Sequence, residues 1–406
     1  MNVDTMRKID YWAGIPLTAV STYLLKPLYA LLPSKKPRNV LLIELSEMGS
    51  TILCDPMMQK LRREGCALHF VIFKKNAPSL TLLHTVPEEN VFTIREDSIT
   101  SLFVDTFRFL VWCRTKRIDS VIDLELFSRF TALLCGFSGA VNRVGFHSFF
   151  NEGLYRGDML THKVAYNPHL HIAKNFIALS NALLSGKPET PYSKKAIRDE
   201  EIVLQKAVIS DEAKHRVIAK LLTEHPTFEP ARQQIVLFNA NASDLMPLRR
   251  WPQEYYISLG HKLLERFGDI LIVLTGAPAK RDGLDAIRVA LGERCVNMAG
   301  RTSFGDLAPL YAISRLMLTN DSGPGHFAAV TDLPTYVFFG PETPLLYGSL
   351  GNFTPIYAHL ACSPCVSAAN HRKSACDDNQ CVKVISPDYV FGLLAGELTK
   401  DTPDAE

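Results

Sequence analysis

Residues 318–341, LTNDSGPGHFAAVTDLPTYVFFGP, read as a strand, a tight turn, a short helix and a second strand. The first strand ends at Thr319, Asp321-Ser322-Gly323 form the turn, the helix opens at Pro324 and the second strand covers residues 335–339. Proline suits a first helical turn because its missing N–H would have had no partner there, and Asp321 or Ser322 is placed to cap the free amides. The predicted product is a helix N-terminus at the carboxyl end of a buried strand. Exposed amides, a partial positive charge and glycines that let a ligand reach the backbone make it an anion site suited to a diphosphate. His326, on the first turn, adds a hydrogen bond or a charge to the same phosphates. The same pattern also describes an ordinary capped turn with a half-buried histidine.

The surrounding sequence repeats this alternation. Apolar runs at 39–45, 67–73 and 120–124 read as strands, with a helix over 51–64 between the first two. After a Pro- and Lys-rich stretch at 186–198, strands recur at 235–239, 270–275, 316–319 and 335–339. Continuous apolar strands alternating with helices predict parallel sheets covered on both faces. At 406 residues, 47% hydrophobic and 21% charged, the chain supports two such cores. A net charge of +2 gives no reason to invoke a nucleic-acid partner.

Asn320-Asp321-Ser322-Gly323-Pro324-Gly325-His326-Phe327-Ala328-Ala329, followed by Phe339-Gly340-Pro341-Glu342-Thr343-Pro344, resembles the nucleotide-sugar signature of glycosyltransferase family 9, the ADP-heptose:lipopolysaccharide heptosyltransferases. Other pieces follow in the family's order: Leu45-Ser46-Glu47-Met48-Gly49 after the first strand, Arg249-Arg250-Trp251-Pro252, Leu274-Thr275-Gly276, and Asn297-Met298-Ala299-Gly300-Arg301. The resemblance runs from about residue 38 to 395. It implies the GT-B architecture, two Rossmann-like parallel-sheet domains facing across a cleft. The corresponding division is an N-terminal segment 1–38, an acceptor domain 39–190, a nucleotide-sugar domain 200–390 with a Cys-rich loop at 362–381, and a C-terminal helix end and tail 391–406.

The resemblance also implies an inverting, metal-independent sugar transfer. Arg249 stabilises the departing diphosphate, since a guanidinium offers planar, bidentate hydrogen bonds, and Arg250, Asp321, Ser322, Gly323 and His326 complete the donor site. ADP-heptose is the favoured donor and a lipopolysaccharide-type or other envelope glycan the acceptor. In the first domain the family's loop has the form Ser-x-x-Gly-Asp, with the aspartate as the proposed general base. Here the loop is Ser46-Glu47-Met48-Gly49-Ser50, so the carboxylate is replaced by Ser50. Glu47, in the same loop, is the expected substitute, with Glu44 and Asp55 as weaker candidates. Ser46, Ser50, Arg129 and Arg143 are the expected acceptor contacts. The missing aspartate keeps a non-catalytic nucleotide-sugar-binding or scaffold protein as an alternative, and a GT-B sugar-nucleotide epimerase is a third reading.

Two features lie outside the sugar motifs. The first 38 residues carry +4 and the rest −2, and residues 11–25, YWAGIPLTAVSTYLL, have no ionised side chain. Fifteen such residues fall short of the roughly 20 needed to cross a bilayer. They predict a cationic, aromatic-containing helix, interrupted at Lys26-Pro27, on the cytoplasmic face of an anionic membrane, where each basic residue contributes about 1 kcal/mol. Packing on the protein's own surface is the alternative, and Asp10 argues against a cleaved signal peptide. Cys54, Cys66, Cys113, Cys135 and Cys295 are scattered among apolar residues as reduced core thiols. Cys362, Cys365, Cys376 and Cys381 group in a polar loop with His371, resembling a structural metal knuckle for zinc or, second, iron, remote from the sugar chemistry. A disulfide pair and free thiols are the alternatives.

Overall fold

The computed structural model describes residues 3–32, 35–126, 128–150, 153–244, 246–368, 370 and 372–400. His371 and parts of the two termini named above lie outside these. The chain divides into two units, the first comprising Met1–Val203 and Val366–Lys373, the second Leu204–Cys365 and Ser374–Glu406.

The first unit is built on six parallel strands, β1 (Asn39–Ile43), β2 (Ala67–Phe73), β3 (Val91–Ile94), β4 (Ser120–Asp123), β5 (Asn142–Phe146) and β6 (His162–Val164), in the order β3-β2-β1-β4-β5-β6. Its helices are α1 (Val3–Trp12), α2 (Gly14–Ala30), α3 (Met48–Leu53), α4 (Asp55–Arg63), α5 (Ile99–Thr115), α6 (Arg129–Phe137) and α7 (Ile172–Leu183). Parallel neighbours require crossovers, and right-handed crossovers change face when the chain reverses its direction across the sheet. The reversal between β3 and β4 therefore places α5 and α6 together on one face, while α4 packs with α7 on the other. The helix expected over 51–64 is split into α3 and α4 at Cys54. Pro56 cannot donate to the carbonyl of Ile52, so the chain starts a new helix at Asp55.

The N-terminal helices dock on this unit by one face. Asp10 Oδ1 accepts from the amides of Arg129 and Phe130 at 2.8 and 3.0 Å, capping α6 from outside, and Asp10 Oδ2 pairs with Arg129 at 3.1 Å. A Cβ on Gly14 would approach the Arg129 side chain to 2.9 Å, so glycine permits the close contact. Tyr29 donates to the Gly136 carbonyl at 2.9 Å and carries the Arg143 guanidinium over its ring at 3.7 Å. Lys26-Pro27 does not interrupt the second helix, which continues to Ala30. No described helix is long and apolar enough to cross a membrane.

The second unit repeats the plan with β7 (Gln234–Asn239), β8 (Ile270–Leu274), β9 (Cys295–Asn297), β10 (Ser314–Asn320), β11 (Thr335–Phe339) and β12 (Phe353–Tyr357), all parallel, in the order β12-β11-β10-β7-β8-β9. Helix α8 (Asp211–Glu224) precedes them, and α9 (Gln253–Arg266), α10 (Arg281–Leu291), α11 (Phe304–Ala312) and α12 (Gly323–Phe327) lie between them. Trp251 stacks on Phe338 with ring centroids 4.5 Å apart and donates from Nε1 to the Ile385 carbonyl at 2.9 Å, fixing the entry to α9 against the sheet. In an open parallel sheet the strand order reverses at one point, and ligands bind beyond the carboxyl ends of the two strands that meet there. Those strands are β1 and β4 in the first unit, β7 and β10 in the second.

Candidate active-site residues

In the second unit, β10 ends at Asn320 and α12 starts at Gly323, each one residue from the bounds at Thr319 and Pro324 expected from the sequence. The expected caps are absent: no side chain caps α12, Ser322 Oγ donates instead to the Asn320 carbonyl at 3.1 Å, and Asp321 turns toward Arg249. At five residues α12 is too short for a large macrodipole, so its amides rather than a long-range field carry any attraction for an anion. His326 sits on the first turn, half-buried.

Arg249 closes a single helical turn, Pro247–Arg249, in the loop after β7. Its Nε lies 3.2 Å from Asp321 Oδ2 and its Nη2 3.3 Å from Glu342 Oε1, and only 17% of its side chain is exposed. Burial pushes the Asp321 carboxyl up against the opposing pull of Arg249. Glu342 is pushed up to about 8, by burial first and by the charge of Asp321 after it, again opposed by Arg249. One cation thus faces two buried carboxyls, of which Glu342 is mostly neutral at pH 7. Arg250 points elsewhere, to the Ala242 carbonyl at 3.0 Å and to the Asp244 carboxylate, bracing the same loop.

Backbone clamps hold this arrangement. Asn320 Oδ1 accepts from the Trp251 amide at 2.9 Å, and its Nδ2 donates to the Asn241 carbonyl at 3.1 Å, tying the β7 loop to the end of β10. Asn379 Nδ2 donates to the carbonyls of Leu248 and Arg250, both at 3.0 Å, on either side of Arg249. The Cys365 amide donates to the Pro341 carbonyl at 3.0 Å, next to Glu342, and a Cβ on Gly340 would approach Cys381 Sγ to 2.7 Å. The Cys-rich loop, expected to be remote from the site, therefore supports both segments that flank the Arg249 guanidinium. All nine cysteines are free thiols. Burial, followed by the neighbouring thiols of Cys365, Cys376 and Cys362, pushes Cys381 up to about 11. Cys365 Sγ lies 3.2 Å from Ser374 Oγ and Cys376 Sγ donates to the Asp378 carbonyl at 3.1 Å, and no set of three ligand side chains among the described residues converges to hold an ion.

In the first unit, Glu47 stands at the N-cap of α3 with its side chain 39% exposed. Ser50 Oγ donates to Glu47 Oε2 at 3.3 Å, so the glutamate carboxylate lies beside the position that the family fills with aspartate. Arg372 forms an ion pair with Glu47 Oε1. Behind them lie two buried acids: Glu44 accepts from the Glu47 amide at 3.2 Å, and Glu125 Oε1 accepts from the Leu45 and Ser46 amides and from Ser46 Oγ at 2.8 Å. Burial, then the charge of Glu125, pushes Glu44 well above the carboxylate range. Asp123 at the end of β4 is pushed up to about 6 by burial, opposed by its ion pair with Arg156. Asp55 is buried and accepts from Thr85, which leaves Glu47 as the exposed carboxylate of this loop.

The remaining expected acceptor contacts are placed differently. Arg129 is 4% exposed and held by Asp10, and Arg143 is 3% exposed with its guanidinium on the carbonyls of Met159 and Ala140 at 2.7 Å. Both anchor the N-terminal helices. Sequence reasoning did not single out Glu342 and Asn379 beside Arg249 in the second unit, or Arg372 beside Glu47 in the first. Only Glu342 had a visible signal, being the first residue after Gly-Pro at the end of a strand.

The sequence model of glycosyltransferase family 9 (heptosyltransferase) matches residues 109–375, about two thirds of the chain. The chain belongs to glycosyltransferase family 9. Lipopolysaccharide heptosyltransferase 2 of Salmonella typhimurium is 32% identical over 119 residues, which cover 28% of this chain and 32% of that protein. Lipooligosaccharide heptosyltransferase 2 of Campylobacter jejuni is 28% identical over 177 residues, 42% of this chain and 53% of the relative. The matched part thus spans about a third to a half of these relatives' length. Among solved structures, Escherichia coli ADP-heptose lipopolysaccharide heptosyltransferase II superposes with a TM-score of 0.67 at 19% identity, covering 89% of this chain and 98% of the other. A family 9 glycosyltransferase from Veillonella parvula gives 0.69 at 18% identity, covering 90% and 98%. These likenesses show the GT-B fold, as the sequence predicts.

Glu342 is expected to make this site sensitive to pH. With its carboxyl raised to about 8, Glu342 is neutral below that value, and ionising it places a second negative charge beside Arg249. ADP affinity is therefore expected to fall as pH rises from 7 to 9, and Glu342→Gln should flatten the curve. Stability follows the same sign: the raised carboxyl contributes stability that is full below the ordinary carboxylate range and is lost as pH rises through about 8. Titrating ADP by calorimetry across this range is the check, and an unchanged slope in Glu342→Gln would assign the dependence to another group.

Proposed function

We propose that the protein is an inverting glycosyltransferase that moves a sugar, heptose favoured, from a nucleotide-diphosphate donor to a lipopolysaccharide-type or other cell-envelope glycan acceptor. The observation that carries this reading is Arg249, set deep between Asp321 and Glu342 beside the uncapped amides of α12, in a chain of family 9. In the reaction the acceptor hydroxyl attacks the anomeric carbon from the face opposite the diphosphate, its proton passes to a carboxylate, and the sugar–phosphate bond breaks with its electron pair on the leaving group. Arg249 and the amides of Ser322 and Gly323 stabilise that developing charge without a metal. Glu47 of the first unit accepts the proton, the role that the departure at Ser50 leaves open. ADP is the favoured nucleotide, and E. coli heptosyltransferase has been solved with ADP.

The exposed face of the N-terminal helices supports peripheral attachment to the inner face of the cytoplasmic membrane, where a lipid-anchored acceptor would be met. The four thiols of the 362–381 loop support a structural zinc or iron site, in which Cys365 and Cys376 would turn from Ser374 and Asp378 toward the ion. Metal analysis of purified protein should find about one equivalent, and a strong chelator should lower the melting temperature and weaken ADP binding together. Metal-free protein with full stability would sink the metal reading.

The deciding experiment offers ADP-heptose, and other ADP- and UDP-sugars, with a lipid-anchored core glycan lacking its terminal sugar, and reads the mass of the product. A single added heptose with inverted anomeric configuration is expected. If the protein binds a nucleotide sugar yet transfers none to any acceptor, it is a nucleotide-sugar-binding scaffold.

A further inference from the structure

The α5 helix leaves one face uncovered. Ile99, Phe103, Phe107 and Val111, spaced four apart, are 61%, 76%, 65% and 49% exposed, while Phe109 and Cys113 on the opposite face enter the core. The other exposed positions on this helix are Thr100, Val104, Arg108, Arg114 and Thr115. Its one acidic residue, Asp105, is buried and held by Arg95. A soluble helix normally turns mixed charge to water, and an exposed stripe containing two phenylalanines marks an interaction surface.

The helix shares neighbours with the N-terminal helices. Both α1 and α5 lie against α6, and Met6 of α1 borders the same core cluster as Leu102 and Leu110 of α5. Trp12 and Tyr23 are 76% and 82% exposed on α1 and α2, with Leu24 and Leu28 beside them. Among the described side chains of α1, α2 and α5, the exposed ones include no carboxylate, and Arg7, Lys8, Lys26, Arg108 and Arg114 supply the cations, of which Lys26 pairs with Asp158 at 2.5 Å and Arg108 lies 3.8 Å from the buried Asp105. A second copy of this chain fits poorly, because a two-fold contact would set these cations against their own copies. Apolar and aromatic side chains among cations of one sign are the complement of an anionic lipid surface, in which the apolar face sinks to the acyl boundary and the cations meet phosphates.

We propose that α5 is a second bilayer-contacting element, so that the first unit meets anionic membrane through a platform of α1, α2 and α5 rather than through its N-terminal helices alone. The proposal rests on the membrane reading given above and adds the element that reading does not contain.

Flotation of the full-length protein with vesicles of phosphatidylcholine alone or mixed with phosphatidylglycerol separates the possibilities. Phe103→Ser/Phe107→Ser, at exposed positions, should retain the wild-type melting temperature and bind anionic vesicles about tenfold more weakly or worse. Trp12→Ser/Tyr23→Ser should weaken binding comparably, and Arg108→Glu should reduce the preference for phosphatidylglycerol. As a direct reading, Phe107→Trp in a Trp12→Phe background should show tryptophan quenching by brominated lipid. If the α5 double variant binds like wild type while the α1/α2 variant does not, and the tryptophan introduced by Phe107→Trp is unquenched, α5 is not part of the platform. If wild type binds no vesicles, both readings fall. A concentration-dependent dimer abolished by the α5 variant, without lipid binding, would assign the face to a second copy.

Discussion

Glu47→Gln is expected to lower transfer by about 100-fold or more while leaving ADP affinity close to wild type, because general-base assistance is typically worth 10²–10⁴ in rate. The carboxylate is positioned by the Ser50 hydroxyl on one oxygen and by Arg372 on the other. The ion pair fixes the direction of the carboxylate. Glutamine preserves the size and the contact with Ser50 and removes the proton acceptor, so the loss should appear in turnover rather than in nucleotide binding. Ser50→Asp restores the family's carboxylate next to the same oxygen and should partly rescue Glu47→Gln. Full activity of Glu47→Gln would move the base elsewhere, with the buried Glu44–Glu125 pair next in line.

The second large effect belongs to Arg249. Arg249→Ala should weaken ADP binding and slow transfer by about 2 kcal/mol or more, the scale of a charge-assisted bond to phosphate, which is roughly 30-fold. The substitution also leaves Asp321 and Glu342 buried without their cation, so the variant's melting temperature has to be read beside its kinetics. Arg249→Lys separates the two contributions: it keeps a positive charge between the carboxyls and loses the planar fork, so stability should recover further than turnover. Kinetics unchanged in a folded Arg249→Ala protein would remove this residue from the site.

The strands are legible in the sequence because runs such as 40–43 and 235–238 are apolar throughout, as strands buried on both faces are. The turn at Asp321-Ser322-Gly323 is legible because Gly and Pro restrict what backbone can follow a strand. Side-chain roles are less so. Arg129 and Arg143 look like ligand-seeking cations until Asp10 and Tyr29, more than a hundred residues earlier, are brought against them by the fold. Asp10 likewise looks like a flaw in a basic segment when it is a helix cap acting across that distance. Asp321 carries the sequence of a cap and serves as a partner of Arg249, because burial makes the ion pair the stronger demand. Asn379 has no signal at all, since its partners are two main-chain carbonyls, which no sequence pattern records.

That asparagine changes what the 362–381 loop is to the second unit. Asn379 grips the chain on both sides of Arg249, and Cys365 grips it next to Glu342, so the loop acts as a bracket that sets the height of the guanidinium. Shortening this surface loop, or oxidising its thiols, would register first as lost nucleotide affinity even where no atom of the loop meets the nucleotide. A defect that kinetics would ascribe to the donor pocket could then originate in its mounting.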